Sequence, residues 1–351
     1  MRVFITIFAI FFSAQVSAQT VFSAQGTGQK QVLSIYSSLE EVLAKPLISV
    51  FQSANPNIEI HYYDLQTLEI YERVISESDA NQKTADIVIS SAMDLQFKLA
   101  NDGYASTVRL TEPSWPSWAK WQDSVFGLTF EPSVIVYNKS KFKDKSPPLN
   151  RADLKKMLLE EENSFFGQIG TYDIERSGLG FLFLARDSEH DRDIWELVNA
   201  FGSSGVRLYN SSSSILERVG DGRLALGYNI LGSYAQSWSL TNPDIGIILS
   251  EDYTVVMSRM ALVPAQSENP ALGGRFLRFL MSEPGQKIMA EELDLPAVHP
   301  AINSANTASA FSEKYGDRLR PISIGPGLVA YLDQVKRARF VKNWNKALRG
   351  E

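Results

Sequence analysis

Short apolar runs alternate along this chain with segments whose hydrophobic residues have helical spacing. Residues 32–36 and 58–63 have the length and apolar character of strands. Between them, Leu39, Leu43 and Leu47 recur at i, i+4 and i+8, which is one face of a helix. The predicted strands are residues 32–36, 58–63, 87–89, 133–137, 168–171, 224–228, 245–249 and 259–263. This alternation predicts an α/β fold with a largely parallel sheet.

The length of 351 residues gives room for two domains with well-buried cores. The chain has a formal net charge of −6, and 21% of its residues are charged. A general nucleic-acid-binding protein usually has a basic footprint, and this composition has none. We therefore expect no nucleic-acid partner.

The first 18 residues have the features of a secretory signal peptide. Arg2 gives a positive start, residues 3–12 are apolar, and Val16-Ser17-Ala18 supplies small residues at the cleavage position. The apolar run is too short for a membrane anchor, so we expect cleavage after Ala18. The chain has no cysteine, which excludes disulfides and a lipidated cysteine. We therefore expect an exported, untethered monomer in the bacterial periplasm.

Two of the predicted strands end in a pair of serines. The stretches are 32-VLSIYSSLEE-41 and 87-IVISSAMDLQ-96. Ser38 with Glu41, and Ser91 with Asp94, have the spacing of a capping box, in which each side chain bonds the backbone amide of the other residue. The pattern predicts that a helix begins at each turn.

The same two turns are candidates for a ligand site. Ligands of parallel α/β sheets lie outside the carboxyl ends of the strands, where helix N-termini present free amides and positive partial charge. Ser37 and Ser90 precede the predicted caps and are free to face a ligand, with Tyr36 and Ser91 at the same rim. Hydroxyls and amides of this kind suit an anion or a polyol.

Two later segments repeat this arrangement of strand, polar turn and helix. In 170-GTYDIERSGLGFLFLARD-187, Ser177 and Gly178 open a helix, and the glycine would let a ligand approach the backbone closely. Arg176 beside them is either an ion-pair partner of an anionic ligand or a solvated surface residue. Asn229 ends the strand in 222-GRLALGYNILGSYAQ-236, either as a ligand contact or as a turn residue.

Recognisable catalytic machinery is absent from the sequence. The three histidines, His61, His190 and His299, are far apart in the chain and belong to no zinc-binding motif. There is no phosphate-binding loop of the Walker type and no nucleophile elbow. The sequence therefore indicates a binding protein rather than an enzyme, with no cofactor and no metal.

Several segments together resemble a known family. They are 85-ADIVISSAMD-94, 125-VFGLTFEPSVIVYNKSKF-142, 217-ERVGDGRLALGYN-229 and 269-NPALGGRFLRFLMSEPGQKIMAEE-292. In their order and spacing they resemble the type II periplasmic solute-binding proteins of ABC importers, in the branch that binds ferric ion, hexose phosphates and related anionic solutes. The resemblance covers most of the chain after the signal peptide.

The resemblance implies a two-lobed α/β fold with two hinge crossings. Lobe one would comprise residues 31–127 plus 257–351, and lobe two residues 128–256. Ligand would bind between the lobes, the hinge would close, and a permease in the inner membrane would recognise the closed form. Glu131 in the first crossing would either accept hydrogen bonds from ligand hydroxyls or hold the hinge. Tyr253 and Arg259, which flank the second crossing, would either contact ligand or be solvated surface residues.

One departure from the family pattern concerns iron. Ferric-binding members carry adjacent tyrosines after the segment that ends here at Asn229, where this chain has Ile230, Leu231 and Gly232, with Tyr234 alone nearby. Hard Fe³⁺ prefers anionic oxygen ligands. We therefore expect a small anionic, phosphorylated or carboxylated and hydroxylated solute. The alternatives are a ferric-iron-binding transport protein and a sensor that presents its closed form to a membrane sensor kinase.

Overall fold

The computed structural model describes residues 19–109, 115–160 and 165–351. The predicted signal peptide, residues 1–18, lies outside the described residues. Within them, no helix is both long enough and apolar enough to span a lipid bilayer.

The secondary structure confirms the alternation of strands and helices. The strands are β1 Gln19–Phe22, β2 Gln31–Ser37, β3 Ile58–Asp64, β4 Ile87–Ser90, β5 Lys120–Trp121, β6 Val125–Gly127, β7 Glu131–Asn138, β8 Ile169–Tyr172, β9 Arg207–Tyr209, β10 Leu226–Leu231, β11 Ile245–Ile248, β12 Thr254–Met257, β13 Met260–Leu262 and β14 Leu319–Pro321. The α-helices are α1 Glu41–Ala54, α2 Thr67–Asp79, α3 Met93–Asn101, α4 Arg151–Glu160, α5 Gly178–His190, α6 Ile194–Ser203, α7 Ser212–Gly220, α8 Gly232–Thr241, α9 Pro270–Met281, α10 Glu283–Glu292, α11 Ala308–Tyr315 and α12 Gln334–Arg349.

The strands form two sheets, and each lobe is built around one of them. The first sheet has the order β1-β3-β2-β4-β13-β6-β5, and the second the order β14-β12-β7-β10-β8-β9, with β11 also paired to β7. Strands β2, β3 and β4 are mutually parallel, whereas β13 is antiparallel to both β4 and β6. The prediction of a largely parallel sheet is therefore wrong. The sheets are mixed because the strands that cross between the lobes run against their neighbours.

Two short crossings connect the sheets, as the resemblance predicts. The chain passes from β6 to β7 through residues 128–130, and it returns from β12 to β13 through residues 258–259. The crossings lie side by side, since the amide of Leu128 donates to the carbonyl of Arg259 at 2.7 Å and the amide of Arg259 donates to Thr129 Oγ1 at 2.8 Å. This pairing places Arg259 next to the start of β7.

The first helix buries only part of the face that its spacing predicts, because Leu47 is buried, Leu43 is half-buried and Leu39 precedes the helix. Leu47, Ile48 and Phe51 of α1 lie in the core of the first lobe, and Pro46 is accommodated inside the helix. Two helical segments follow one another near the end of the chain. A 3₁₀ helix spans Pro326–Tyr331, and Asp333 then caps α12 by accepting from the amides of Val335 and Lys336 at 3.1 Å each. The aspartate satisfies amides that the start of a helix leaves free.

Helix α12 packs on the side of the second sheet. Its Phe340 and Trp344 are buried with Ile194 and Leu197 of α6 in one hydrophobic cluster. Strand β14 likewise pairs with β12. The predicted lobe boundaries, residues 31–127 plus 257–351 and residues 128–256, stay a prediction. The packing adds that the end of the chain contacts the second sheet.

Candidate functional site

A cavity of about 350 Å³ lies between the two lobes at the ends of several strands. Lobe one contributes the turns that follow β2, β3 and β4, and lobe two contributes the N-termini of α5, α7 and α8. The lining residues are Ser38, Glu40, Asp64, Leu65, Gln66, Thr67, Ser91, Ser177, Leu179, Asn210, Ser211, Ser212, Ser213, Leu231 and Tyr234. Strand ends and helix N-termini are where an α/β protein places polar groups for a ligand.

The first serine turn brings Ser38, rather than Ser37, to the cavity. Ser37 is fully buried, and its Oγ accepts from the amide of Leu39 at 3.0 Å. Ser38 lines the cavity, and its Oγ accepts from the amide of Ser91 at 3.1 Å. The predicted capping box is wrong because α1 begins at Glu41, with Glu40 as N-cap and no side-chain cap bond. The turn is two residues longer than predicted, so the two serines exchange roles.

Glu41, the predicted capping acid, points to the outer surface. It accepts from Thr20 Oγ1 at 2.6 Å and pairs with Lys45 at 3.0 Å.

The second serine turn has the same arrangement. Ser90 is 1% exposed, and its Oγ accepts from the amide of Ala92 at 3.3 Å. Ser91 lines the cavity. Helix α3 begins at Met93 with no side-chain cap bond, and Asp94 accepts from the amide of Leu95 instead of returning to Ser91. The capping box predicted here is therefore wrong as well.

The structure does not bring Tyr36 to the cavity. Its hydroxyl donates to Glu77 of α2 at 3.0 Å, and the guanidinium of Arg73 lies 4.3 Å from the centre of its ring. Burial, reinforced by the neighbouring carboxylate, raises the pKa of this hydroxyl above its usual range. These contacts hold Tyr36 within lobe one.

In lobe two, Ser177 and Gly178 lie at the interface between the lobes. Ser177 lines the cavity and caps α5 by accepting from the amide of Gly180 at 3.1 Å. The amide of Gly178 donates to Thr67 Oγ1 of lobe one at 3.1 Å. A Cβ at this glycine would lie 2.7 Å from Leu95 Cδ1, so a larger residue here would force a neighbouring side chain to shift. The two lobes are therefore in direct contact at Gly178.

The side chain of Arg176 points away from the cavity. The side chain is 75% exposed, and its Nε lies 3.7 Å from Asp173 Oδ2.

Asn229 and Tyr253 belong to a buried network within lobe two. Asp187 of α5 is 0% exposed and accepts from four groups. The donors are Arg151 Nη2 at 2.9 Å, the hydroxyl of Tyr253 at 2.9 Å, the hydroxyl of Tyr228 at 2.8 Å and Asn229 Nδ2 at 2.7 Å. Asn229 reaches this carboxylate because the pairing of β10 with β7 shifts register beside it and its φ is 61°, a left-handed value that asparagine tolerates. The network uses both side chains within lobe two.

Glu131 lies at the hinge, buried beneath the cavity with Arg259. It is 0% exposed and accepts from Thr129 Oγ1 at 2.7 Å and from the hydroxyl of Ser233. Arg259 Nε lies 3.3 Å from Glu131 Oε1, and Arg259 Nη2 lies 3.4 Å from Glu131 Oε2. The first contact is close enough for an ion pair but lacks hydrogen-bond geometry.

Arg259 is the cation nearest to the base of the cavity. Its Nη1 donates to Ser38 Oγ at a long 3.4 Å, and its guanidinium lies 5.9 Å from the ring of Tyr234. Both neighbours line the cavity. A guanidinium has five N–H donors, and those of Arg259 meet the protein only at long distances. Glu131 supplies a counter-charge, but the N–H groups of Arg259 are incompletely hydrogen-bonded by the protein.

Three charged or phenolic residues of the cavity were not predicted as site residues. Glu40 follows the first serine turn, Asp64 ends β3, and Tyr234 lies in the first turn of α8. Burial, with a smaller contribution from Glu40 and Glu41, raises the pKa of Asp64 to about 6. Burial also raises the pKa of the Tyr234 hydroxyl, which accepts from the amide of Glu40 at 3.3 Å. The position of Asp64 at the end of a predicted strand is the signal that could have identified it.

A larger cavity of about 810 Å³ lies between α2, α3, α5 and α12. Its wall consists of helix side chains such as Tyr71, Phe181 and Val341, with acidic and basic groups on both lobes. No strand end opens into it. The smaller cavity combines strand ends, helix N-termini and serines, and it is therefore the better candidate for the ligand site.

Comparisons with known proteins agree with this geometry. The family model described as bacterial extracellular solute-binding protein matches residues 47–317. A solved structure described as the substrate binding protein of the ABC transporter from Agrobacterium tumefaciens is 52% identical, with a TM-score of 0.93, over 96% of this chain and 100% of that chain. No curated protein sequence matches.

More distant solved structures share the fold. Iron-bound HitA from Pseudomonas aeruginosa is 16% identical with a TM-score of 0.69, over 90% of this chain and 99% of that chain. The periplasmic binding protein AfuA from Actinobacillus pleuropneumoniae, with exogenous fructose-6-phosphate bound, is 15% identical with a TM-score of 0.74, over 92% of this chain and 99% of that chain. These likenesses confirm the two-lobed periplasmic-binding-protein fold.

Proposed function

Because this chain belongs to the bacterial extracellular solute-binding proteins, we propose that it is the solute-binding component of an ABC importer. It captures a small solute with an anionic group, phosphorylated or carboxylated and hydroxylated, in the cavity between its lobes. It then delivers the solute to a permease in the inner membrane and does not turn it over. It acts as an untethered monomer in the periplasm.

The observation that carries this proposal is the serine-lined cavity above Arg259. Ser38 and Ser91 of lobe one face Ser177 and the run Ser211–Ser213 of lobe two. The lobe-two serines lie at the N-termini of α5 and α7, where the helix dipole favours a polar group. These groups are donors that an oxyanion and hydroxyls can use.

The size of the cavity limits the solute. About 350 Å³ lies near the lower end of the range for ligand pockets, so the occupant is a small molecule. Contacts from both lobes, such as Gly178 to Thr67 and Tyr234 to Glu40, close around this volume. A solute bound here would bridge the lobes and stabilise the closed form that a permease recognises.

Ferric-iron transport is the alternative that the resemblance raises. Among residues 19–109, 115–160 and 165–351, no three His, Cys, Asp or Glu side chains form a group that could hold a metal ion. The cavity does contain the phenol of Tyr234 and the carboxylates of Glu40 and Asp64. Fe³⁺ therefore belongs in the test. A sensor role would use the same closed form and is distinguished by the membrane partner.

A thermal-shift measurement on the purified chain without residues 1–18 tests the proposal. Phosphorylated and carboxylated solutes of the predicted class should raise Tm, because they bind the folded state and not the unfolded one. A rise with Fe³⁺ alone would support the iron alternative and contradict the proposed solute class. Conversion of a bound compound during incubation would contradict the absence of turnover.

A further inference from the structure

The anion-favouring end of α7 is already in contact with a carboxylate of lobe one. Glu40 Oε1 accepts from the hydroxyl of Ser213, in the first turn of α7, and the amide of Glu40 donates to Tyr234 of lobe two at 3.3 Å. The positive partial charge of a helix N-terminus falls off within its first turn. An anionic group placed at this end would face Glu40 at close range. The negative end of a ligand therefore belongs elsewhere in the cavity.

Arg259 offers the opposite situation at the base of the cavity. Its contacts to Ser38 and Glu131 are long, at 3.3 to 3.4 Å, although the side chain is 2% exposed. Buried guanidinium groups normally make short, charge-assisted bonds of about 2.7–2.9 Å. An oxyanion between Ser38 and Ser91 would supply the bonds that this guanidinium lacks.

A second carboxylate lies beside Glu40 in the wall of the cavity. Asp64 Oδ2 accepts from the amide of Glu41 at 3.3 Å. Across the described part of the chain, no ion pair joins Glu40 or Asp64 to a lysine, an arginine or a histidine. Glu40 and Asp64 are half-buried, so water only partly screens the repulsion between their negative charges, and a cationic group of the ligand would offset it.

We propose that the ligand is a small zwitterion. Its anionic group lies against Arg259, Ser38 and Ser91, and its ammonium group lies against Glu40 and Asp64. The Cα atoms of Ser38 and Glu40, two residues apart, lie at most about 7 Å from each other. Both side chains line the same cavity of about 350 Å³, so the ligand that carries the two charges is small. This inference rests on the proposed function and narrows its solute class to amine-bearing anions.

Two pairs of probes isolate the ammonium group. O-phosphoethanolamine is compared with 2-hydroxyethyl phosphate, and β-alanine with 3-hydroxypropionate, so that only an ammonium is exchanged for a hydroxyl. The dissociation constants are measured by titration calorimetry at pH 7.5 with the full chain after residue 18. We expect the amine of at least one pair to bind about ten- to hundredfold more tightly than its hydroxyl partner.

Matched variants assign the preference to the acidic wall. Glu40→Gln should reduce the preference for the amine at least tenfold while leaving the hydroxyl compound nearly unchanged. Glu41→Gln is the control, because it removes the same charge one residue away, where the side chain contacts Thr20 and Lys45 outside the cavity. Equal losses in both variants would show that only the general charge of lobe one matters, and the inference would fail.

The remaining outcomes separate this inference from the proposed function. Equal affinity for the amine and hydroxyl members of each pair would overturn the zwitterion and leave an anionic solute in place. Binding of ethanolamine alone, of Fe³⁺ alone or of uncharged sugars alone would overturn both. Binding by none of the four paired probes would overturn the inference in this form.

Discussion

Two buried acid–arginine pairs in this molecule differ in how completely their charges are bonded. In lobe two, Asp187 receives four donors at 2.7–2.9 Å, with Arg151 among them. At the hinge, Arg259 meets Glu131 only at 3.3–3.4 Å, and its Nε makes no hydrogen bond. A saturated pair holds a lobe together, whereas an unsaturated one retains donors for a ligand.

The two acid–arginine pairs also lie in different parts of the molecule. The Asp187 network joins α4, α5, β10 and the segment before β12, all on the side of the second sheet. Arg259 instead belongs to the second crossing, with its Nη1 3.4 Å from Ser38 Oγ of lobe one and its guanidinium 5.9 Å from the ring centre of Tyr234 of lobe two. An anion that binds Arg259 therefore acts at the hinge between the lobes. This links ligand charge to hinge closure.

The largest predicted effect comes from breaking the saturated pair. Asp187→Ala leaves Arg151 buried without its main counter-charge and removes the acceptor of three further donors. We expect a loss of about 3–5 kcal/mol in the free energy of unfolding, measured by urea denaturation. A loss below about 1 kcal/mol would contradict the account of this network as the support of lobe two.

The same experiment on the hinge pair sharpens the comparison. Arg259→Gln removes the counter-charge of buried Glu131, which keeps its bonds from Thr129 and Ser233, so we expect the unliganded protein to lose about 3 kcal/mol, less than Asp187→Ala loses. Its affinity for an anionic solute should fall at least tenfold by titration calorimetry. If stability falls as far as in Asp187→Ala, then Arg259 is structural and the comparison fails.

The carboxylate of Asp64 should make the stability of the unliganded protein depend on pH. Asp64 has a pKa raised to about 6, chiefly by burial, so the folded state holds its proton more tightly than the unfolded state. Its ionisation therefore destabilises the unliganded protein as pH rises from about 4 to above 6. Asp64→Asn should raise Tm relative to the wild-type protein at pH 7.5 and leave the difference near zero at pH 4. A constant difference across this range would show that the charge of Asp64 is not the cause.

Ligand binding should show the opposite pH dependence if the ligand carries an ammonium. A cation favours ionised Asp64, so protons compete with it and affinity should fall as pH drops below about 6. Titration calorimetry between pH 5 and pH 8 measures the dissociation constant of the ligand at each pH.

The smallest effects distinguish the two serines of the first turn. Ser37 is bonded to the amide of Leu39, whereas Ser38 faces the cavity. Ser37→Ala should cost about 1 kcal/mol of stability with little change in affinity. Ser38→Ala should weaken ligand binding with a smaller change in Tm. The reverse result would restore the division of roles that the capping-box pattern predicts.

Sequence reasoning could identify the two-lobed fold and the turns that form the site, but not which side chain of each turn faces the ligand. A shift of two residues in the start of α1 moves Ser38 from a cap to the wall of the cavity and turns Glu41 outward. Capping patterns do not fix that shift, because Ser37 can satisfy the turn equally well.

The polar residues of lobe two illustrate a second limit. Asn229 and Tyr253 are in polar positions at strand ends, as predicted, yet both are bonded to Asp187. The register shift in β10 and the left-handed backbone of Asn229 place its side chain against Asp187, and neither feature can be predicted from the sequence. Arg259 is a candidate from the sequence because it flanks the second crossing, but only the pairing of the two crossings shows that it lies beside Ser38.

The central claim is that Arg259 binds the anionic group of a solute between the lobes. The most direct test compares the wild-type protein, Arg259→Gln and the exposed-arginine control Arg278→Gln in one thermal-shift panel of inorganic phosphate, O-phosphoethanolamine, β-alanine, glucose 6-phosphate and Fe³⁺. The account predicts that each organic anion that raises Tm in the wild-type protein and in Arg278→Gln loses that effect in Arg259→Gln. An equal rise in all three proteins, or a rise in the wild-type protein with Fe³⁺ alone, would contradict it.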